Sequence, residues 1–289
     1  MRYSYYPGCT LYNKAKEFDD SLRRSCRVLG IEITELPSWY CCGAAYPQTE
    51  DHKIALIAPF RVLAKARLEN QDLLTVCSFC YHVLKRVNYA VNRDKEKLDL
   101  MNDFLDENYQ GDLRIRHLLE ILREDFGFDR LQEFKKRDLS RMKIAPYYGC
   151  YILRPQEEIG FDSEENPMIL NDFLSALEIT VVDSANKVEC CGSYLVLVNR
   201  EATSAAVRRI VDGVKRLGAE AIATTCPLCH YNLDRFQAEL KKEGLEPIPV
   251  FYFTQLLALF LGLERITFTI NKIPVEPYLS GKIGNGYQG

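Results

Sequence analysis

Apolar positions along this chain switch between two periods. Residues 2–6 are aromatic-rich and strand-like, and Phe18, Leu22, Cys26 and Leu29 then recur at three- and four-residue spacing, which predicts a helix over 14–29. Short apolar runs predict strands at 31–36, 73–76 and 113–116, with helices at 51–71, 81–91 and 118–126. The second half repeats that order, with strands at 143–148, 180–182 and 221–224 and helices at 167–177, 200–217 and 231–242. Alternation of this kind predicts an α/β fold: two repeated α/β domains with mostly parallel sheets, each carrying one cysteine site. The domains are expected at 1–135 and 136–265, joined by a charged stretch at 129–141. Beyond them the pattern loses its period, and residues 266–289 are expected as an extended C-terminal tail lying on the body or on a partner.

The most apolar stretch, residues 250–263, contains Thr254 and Gln255 and is too short to cross a bilayer as a helix, so no transmembrane segment is expected. Residues 1–9 read as a strand entering a turn rather than as a signal peptide. Hydrophobic residues make up 47% of the 289 and charged residues 27%, the balance of a soluble globular protein. The net charge of −3 gives no bulk positive field, so no nucleic acid partner is expected, and the basic run Lys135-Lys136-Arg137 is read as a solvated helix face. A cytoplasmic location is expected, where eleven cysteines make an unfavourable disulfide framework. Adjacent cysteines also reach relaxed disulfide geometry poorly.

Ten of those eleven cysteines fall into a duplicated pattern. Cys9, the pair Cys41-Cys42, and Cys77 with Cys80 form one constellation; Cys150, the pair Cys190-Cys191, and Cys226 with Cys229 form the other. The step from Cys42 to Cys77 and from Cys191 to Cys226 is 35 residues both times, and a CxxC follows. The duplication extends to Tyr6-Pro7-Gly8-Cys9 against Tyr147-Tyr148-Gly149-Cys150, and to residues 115–120 against 250–255. In parallel sheets cofactors gather at the carboxyl ends of strands, where these cysteines are predicted to lie. A structural zinc takes four ligands in a closed tetrahedron, whereas each half offers five, two of them adjacent; that suits an iron–sulfur cluster better than a single ion. A thioredoxin-like dithiol explains a lone CxxC but not two with matched distant partners. Cys26, on the apolar helix stripe and without a counterpart, is read as packing. His82, His117 and His230 are candidate proton donors, weighed against structural roles at helix starts.

At these residues the chain resembles the B subunit of heterodisulfide reductase and, more widely, the cysteine-rich CCG domain family. The resemblance rests on Cys41-Cys42-Gly43 and Cys190-Cys191-Gly192 and on both CxxC pairs, and it is reinforced by the stretches 148–155, 188–192 and 223–230. It implies two noncubane 4Fe-4S clusters facing one active site, the first on Cys9, Cys41, Cys42, Cys77 and Cys80, the second on Cys150, Cys190, Cys191, Cys226 and Cys229. The implied activity is an enzyme's: reduction of a small disulfide, CoM-S-S-CoB or a related one, to two thiols. The implied partners within such a complex are its ferredoxin-like C subunit and its flavin-containing A subunit. Two alternatives stand beside it: an electron-relay component of a different membrane-associated or flavin-linked oxidoreductase, and a zinc-binding structural protein. Gly43-Ala44-Ala45-Tyr46 and Gly192-Ser193-Tyr194 are bulkier than the glycine-rich segments of methanogen members, a departure that bears on the substrate.

Overall fold

The computed structural model describes residues 1–43 and 53–283 of the chain. Its first half is a sheet of β1 (Arg2–Tyr5), β2 (Glu32–Glu35), β3 (Leu73–Thr75) and β4 (Ile115–His117), in the order β2-β1-β3-β4. The second is built from β5 (Lys143–Tyr147), β6 (Thr180–Val181), β7 (Ala221–Thr224) and β8 (Val250–Tyr252), in the matching order β6-β5-β7-β8. Every pairing between these strands is parallel, and the register repeats too: Leu74 faces Arg116 as Ala223 faces Phe251. The expected repeated α/β fold is therefore present in both halves. The connections carry α1 (Gly8–Asn13), α2 (Lys16–Val28), α3 (Lys53–Leu68), α4 (Ser78–Arg93), α5 (Lys95–Leu105) and α6 (Leu118–Ile121) in the first half. The second half carries α7 (Gln156–Ile159), α8 (Ile169–Ala176), α9 (Arg200–Arg216), α10 (Pro227–Leu240) and α11 (Phe253–Phe260), and α12 (Glu276–Ile283) lies in the tail. The strand order reverses between β1 and β3 and between β5 and β7. Loops leaving those neighbours diverge there and open a crevice at the strands' carboxyl ends.

Several boundaries differ from the sequence expectation, each for a local reason. The helix expected over 14–29 is α2, its Phe18, Leu22 and Cys26 buried as the stripe requires; a break at Ala15 (φ −114°, ψ 45°) separates it from α1, which carries Cys9. Helix α4 begins at Ser78 rather than Tyr81 because Cys77, extended at φ −80° and ψ 111°, is its N-cap; Cys226 does the same for α10, with Pro227 in the first turn. Helix α5 lies outside the sequence expectation, although Asp94 caps it by accepting the Lys97 N–H. Asp51 and His52, at the start of the helix expected over 51–71, lie outside the described residues.

The apolar run 250–263 becomes β8 and α11. Helix α11 is buried on every side because it is wedged between the halves: Phe18 of α2 stacks on Tyr252 at 4.2 Å, and Ser21 Oγ meets Thr254 Oγ1 at 2.6 Å. Its two polar residues are thus satisfied, Gln255 by the Tyr252 N–H and the Thr267 carbonyl. One hydrophobic core runs through both halves, and a smaller one belongs to the second. Burial of each large apolar side chain there stabilises by about 1.5–3 kcal/mol. No helix among the described residues is long and apolar enough to cross a membrane.

Two connecting segments are more ordered than their composition implied. The stretch 129–141 buries Leu131 and Leu139, forms a 3-10 helix over Phe128–Phe134, and donates the Lys136 and Arg137 N–H groups to the Phe260 carbonyl that ends α11. The tail is not extended throughout: it buries Ile266, Phe268, Ile273 and Val275 against the body and then turns into α12.

Candidate metal centre

Both constellations assemble, and their sulfurs connect in the same order. In the first half Cys9 Sγ lies 3.8 Å from Cys41 Sγ and Cys42 Sγ lies 3.7 Å from Cys80 Sγ, while Cys41 meets Cys42 and Cys80 meets Cys77. In the second half Cys150 and Cys190 are 3.8 Å apart and Cys191 and Cys229 are 3.5 Å apart, joined through Cys190–Cys191 and Cys226–Cys229. All eleven cysteines are free thiols. Cys26 stays on its helix stripe, where burial pushes its thiol up to about 12.

Local chain geometry builds each nest. The N-cap cysteine and the one three residues on share a face of the first helical turn, so each CxxC aims both sulfurs the same way, beside the partially positive helix N-terminus. Gly8 (φ +71°) and Gly149 (φ +69°) turn the chain just before Cys9 and Cys150; a Cβ there would stand 2.8 Å from Cys80 Sγ and 3.0 Å from Cys229 Sγ. Neither position accepts a side chain. The backbone leading into each vicinal pair is held by a buried tyrosine: Tyr6 donates to the Tyr40 carbonyl at 2.8 Å and Tyr147 to the Glu189 carbonyl at 2.6 Å. The repeated Tyr-x-Gly-Cys was visible in the sequence, but its clamp depends on a residue 34 positions away in one half and 42 in the other.

Crowding of the thiols fixes what the nests can bind. Hydrogen bonds from Cys150 and Cys191 draw the Cys190 thiol down to about 3, whereas Cys150 and Cys229 are pushed up by their sulfur neighbours and by burial. Five thiolates so close cannot all ionise without a cationic core to compensate them. Among the described residues, no three Cys, His, Asp or Glu side chains converge as ligands of one ion. Thiolates spread over several irons of a polynuclear core would need no convergence on one ion, so the donor set fits an iron–sulfur cluster better than tetrahedral zinc.

The nests are neighbours. Ser78 and Thr225, each adjacent to the N-cap cysteine of its half, join by Oγ–Oγ1 at 2.7 Å and by the Ser78 N–H to the Thr225 carbonyl at 3.3 Å. A cavity of about 540 Å3 is lined by Thr10, next to Cys9, and Lys14 from the first half, by Tyr194, Pro227, next to Cys226, and Tyr252 from the second, and by Lys272 of the tail. Tyr194 senses both nests: burial, then Cys77, Cys226 and Cys42, pushes its phenol up. Residues 44–46, the first half's counterpart to Ser193 and Tyr194, lie outside the described residues.

The three histidines are buried and held neutral by that burial, their pKa values lowered to about 4 at His82, about 3 at His117 and about 4 at His230. His117 uses both ring nitrogens, Nε2 on the Val76 carbonyl and Nδ1 on the Leu119 N–H, and so caps α6. His230 bonds the Val250 carbonyl and stacks on Tyr252 at 4.3 Å, at the cavity wall. His82 Nδ1 is 2.8 Å from the Tyr151 carbonyl. Sequence reasoning missed Asn232, whose Nδ2 lies 3.5 Å from Cys191 Sγ and also bonds the Cys191 and Ser193 carbonyls.

Comparison with known proteins matches residues 3–85 and 144–234 to a family model described as a cysteine-rich domain, CCG. The 8-methylmenaquinol:fumarate reductase membrane anchor subunit of Wolinella succinogenes is 33% identical over 93% of this chain and 95% of its own length. The B subunit of the ferredoxin:CoB-CoM heterodisulfide reductase of Methanosarcina mazei is 28% identical over 94% of this chain and 93% of its own. A protein of Archaeoglobus profundus, named as like the B subunit of heterodisulfide reductase, is 29% identical over 91% and 92%. A solved structure of a hypothetical protein from Helicobacter pylori shares the fold, with a TM-score of 0.73 at 14% identity over 91% of this chain; this chain spans 49% of that one.

Proposed function

The chain belongs to the CCG cysteine-rich domain family, and from that premise we propose that it is the iron–sulfur catalytic component of a heterodisulfide reductase-like complex, reducing a small disulfide to two thiols. The observation that supports this reading is the pair of five-thiol nests with identical side-chain order, whose neighbouring residues Ser78 and Thr225 hydrogen-bond across the halves, with a cavity lined by Thr10, next to Cys9, and by Pro227, next to Cys226. Cys9, Cys41, Cys42, Cys77 and Cys80 would hold one noncubane 4Fe-4S cluster, and Cys150, Cys190, Cys191, Cys226 and Cys229 the other. Bound there, two clusters would supply singly the two electrons that cleavage of a disulfide requires.

The chain's own residues do the rest. Tyr6 and Tyr147 fix the vicinal pairs, Gly8 and Gly149 admit the sulfurs, and Asn232 hydrogen-bonds Cys191. At the cavity, the rings of Tyr252 and His230 keep water from one wall while Lys14 and Lys272 present charge at its edge. The Tyr194 hydroxyl, with no hydrogen bond among the described residues, is placed to donate one to a bound substrate. The repeat units at 1–135 and 136–265, a cytoplasmic location, a ferredoxin-like electron donor and a flavin-containing partner complete the reading; relatives named as B subunits of heterodisulfide reductases support the presence of further subunits.

A second reading is favoured by the relative with 33% identity, named as the membrane anchor of a menaquinol-linked reductase. In it the same nests relay electrons between a quinol and a flavin-containing partner. Anaerobic titration distinguishes the two: a thiol product that alters the paramagnetic spectrum of the oxidised protein supports disulfide chemistry. An effect of a water-soluble menaquinol analogue alone would transfer the case to the relay.

A further inference from the structure

Two buried carboxylates, one from each half, hydrogen-bond nothing but the tail among the described residues. Glu17 of α2 is 7% exposed and accepts the Thr269 N–H at 2.6 Å together with the Thr269 hydroxyl. Asp234 of α10 is 2% exposed and accepts the Lys272 and Ile273 N–H groups at 2.6 and 3.1 Å, with Asn271 Nδ2 at 3.5 Å. Burying a carboxylate is costly unless such donors offset it, and here every donor belongs to residues 269–273. The flanking contacts hold the same segment: the Thr267 carbonyl accepts Gln255 Nε2 at 2.9 Å, Phe268 packs on Phe251 at 5.7 Å, and Asn271 Nδ2 donates to the Val250 carbonyl at 2.9 Å.

Between these anchors the tail passes along the cavity. Thr269, Ile270 and Lys272 line it, together with Thr10 and Lys14 of the first half and Tyr194, Pro227 and Tyr252 of the second. Glu17 stands on the helix that follows the lining residues Lys14 and Ala15, and Asp234 on the helix that begins at Pro227, so the tail bridges α2 and α10 at the cavity. The rest of the cavity comes from the duplicated units, whereas the tail occurs once and lies outside the family-matched residues 3–85 and 144–234. A wall supplied by an unduplicated connecting segment can change the ligand that is admitted without disturbing the cysteine nests.

We propose that Glu17 and Asp234 are positioning residues that hold the tail as one wall of the cavity, and that Ile270, between the two anchors, determines which disulfide the cavity admits. Ile270 is half-buried and packs against the core shared by both halves, so its side chain is fixed as well as its backbone. The inference rests on the reading of this cavity as the disulfide's site.

Reduction of two disulfides by the anaerobically isolated holoprotein tests it, with reduced methyl viologen as electron donor; each turnover consumes two viologen radicals and two protons and releases two thiols. Bis(2-hydroxyethyl) disulfide is the small probe and glutathione disulfide the bulky one. Ile270→Ala should raise kcat/KM for the bulky probe relative to the small one about fivefold or more. Asp234→Asn should shift that ratio the same way through KM, with kcat within about twofold and iron content unchanged. An unchanged ratio in either variant overturns the proposal, and so does a change that appears only with loss of iron. Should Asp234→Asn disturb folding, Glu17→Gln decides by the same ratio. A protein that reduces neither probe fails the functional reading by itself, and N-phenyl-1-naphthylamine, whose fluorescence brightens in an apolar cavity, then tests the tail's role. Its affinity should fall about fivefold or more in Ile270→Ala and in Asp234→Asn. Undiminished affinity in either variant, or no binding by the unaltered protein, overturns the proposal.

Discussion

The two halves of this protein build the same sulfur nest on the same strand order and then surround it differently. Three residues after Cys229 stands Asn232, which hydrogen-bonds Cys191 Sγ; three residues after Cys80 stands Val83, which cannot. The histidine and tyrosine of each half exchange places, Tyr81 against His117 in one and His230 stacked on Tyr252 in the other; His117 bonds the Val76 carbonyl just past β3 and His230 the Val250 carbonyl of β8. If the ten cysteines hold clusters, their positions tolerate no drift, whereas the surroundings can diverge and would make equal ligand sets unequal in potential, access and partner.

Removing a sulfur separates the halves most sharply. Cys191→Ser should lose the iron of the second nest and keep that of the first, and Cys42→Ser the converse, by metal analysis of anaerobically prepared variants. Loss of all iron from either single variant would show that the nests do not load independently.

Next in size are the glycines. An alanine at Gly8 or Gly149 meets both a positive φ, costing about 1–2 kcal/mol, and a sulfur within 3.0 Å. Gly8→Ala should reduce iron occupancy more than Gly149→Ala, since its Cβ would stand closer, and thermal melting of both should fall.

His117 supplies a pH test. Its folded pKa, lowered by burial to about 3, lies below the unfolded value near 6.5, so the unfolded chain binds more protons between those values. Stability should therefore be full above about pH 6.5 and fall below it by up to about 1.4 kcal/mol per pH unit for this one group. His117→Gln should flatten that slope in urea melts between pH 4 and 7.

The smallest expected effect is on potential. Asn232→Val removes one hydrogen bond to sulfur, worth about 1 kcal/mol, and should lower the second cluster's potential by roughly 40 mV relative to the first in a redox titration followed by paramagnetic resonance. An unchanged potential would mean that the Asn232 side chain serves the Cys191 and Ser193 carbonyls alone.

Much of this was legible in the sequence because the cysteines carry their own ruler. The 35-residue step and the two CxxC pairs located all ten nest cysteines, and the alternation of strand and helix gave the parallel sheets. What escaped depends on contacts remote along the chain. Gly8 and Tyr6 reveal their purposes only when Cys80 and Tyr40 fold beside them, and the ordering of 129–141 and of the tail comes from docking on α11 and β8 rather than from local propensity. Helix α5 was missed because its apolar residues do not fall on one buried face: Leu100 and Phe104 are exposed, and Met101 is its buried anchor.

The most direct measurement is combined iron, acid-labile sulfide and zinc analysis of the anaerobically isolated protein, read with its Mössbauer spectrum. Polynuclear clusters in both nests predict roughly four irons and matching sulfide for each five-cysteine set. One zinc per half without sulfide, or a single iron in each nest, would contradict the account.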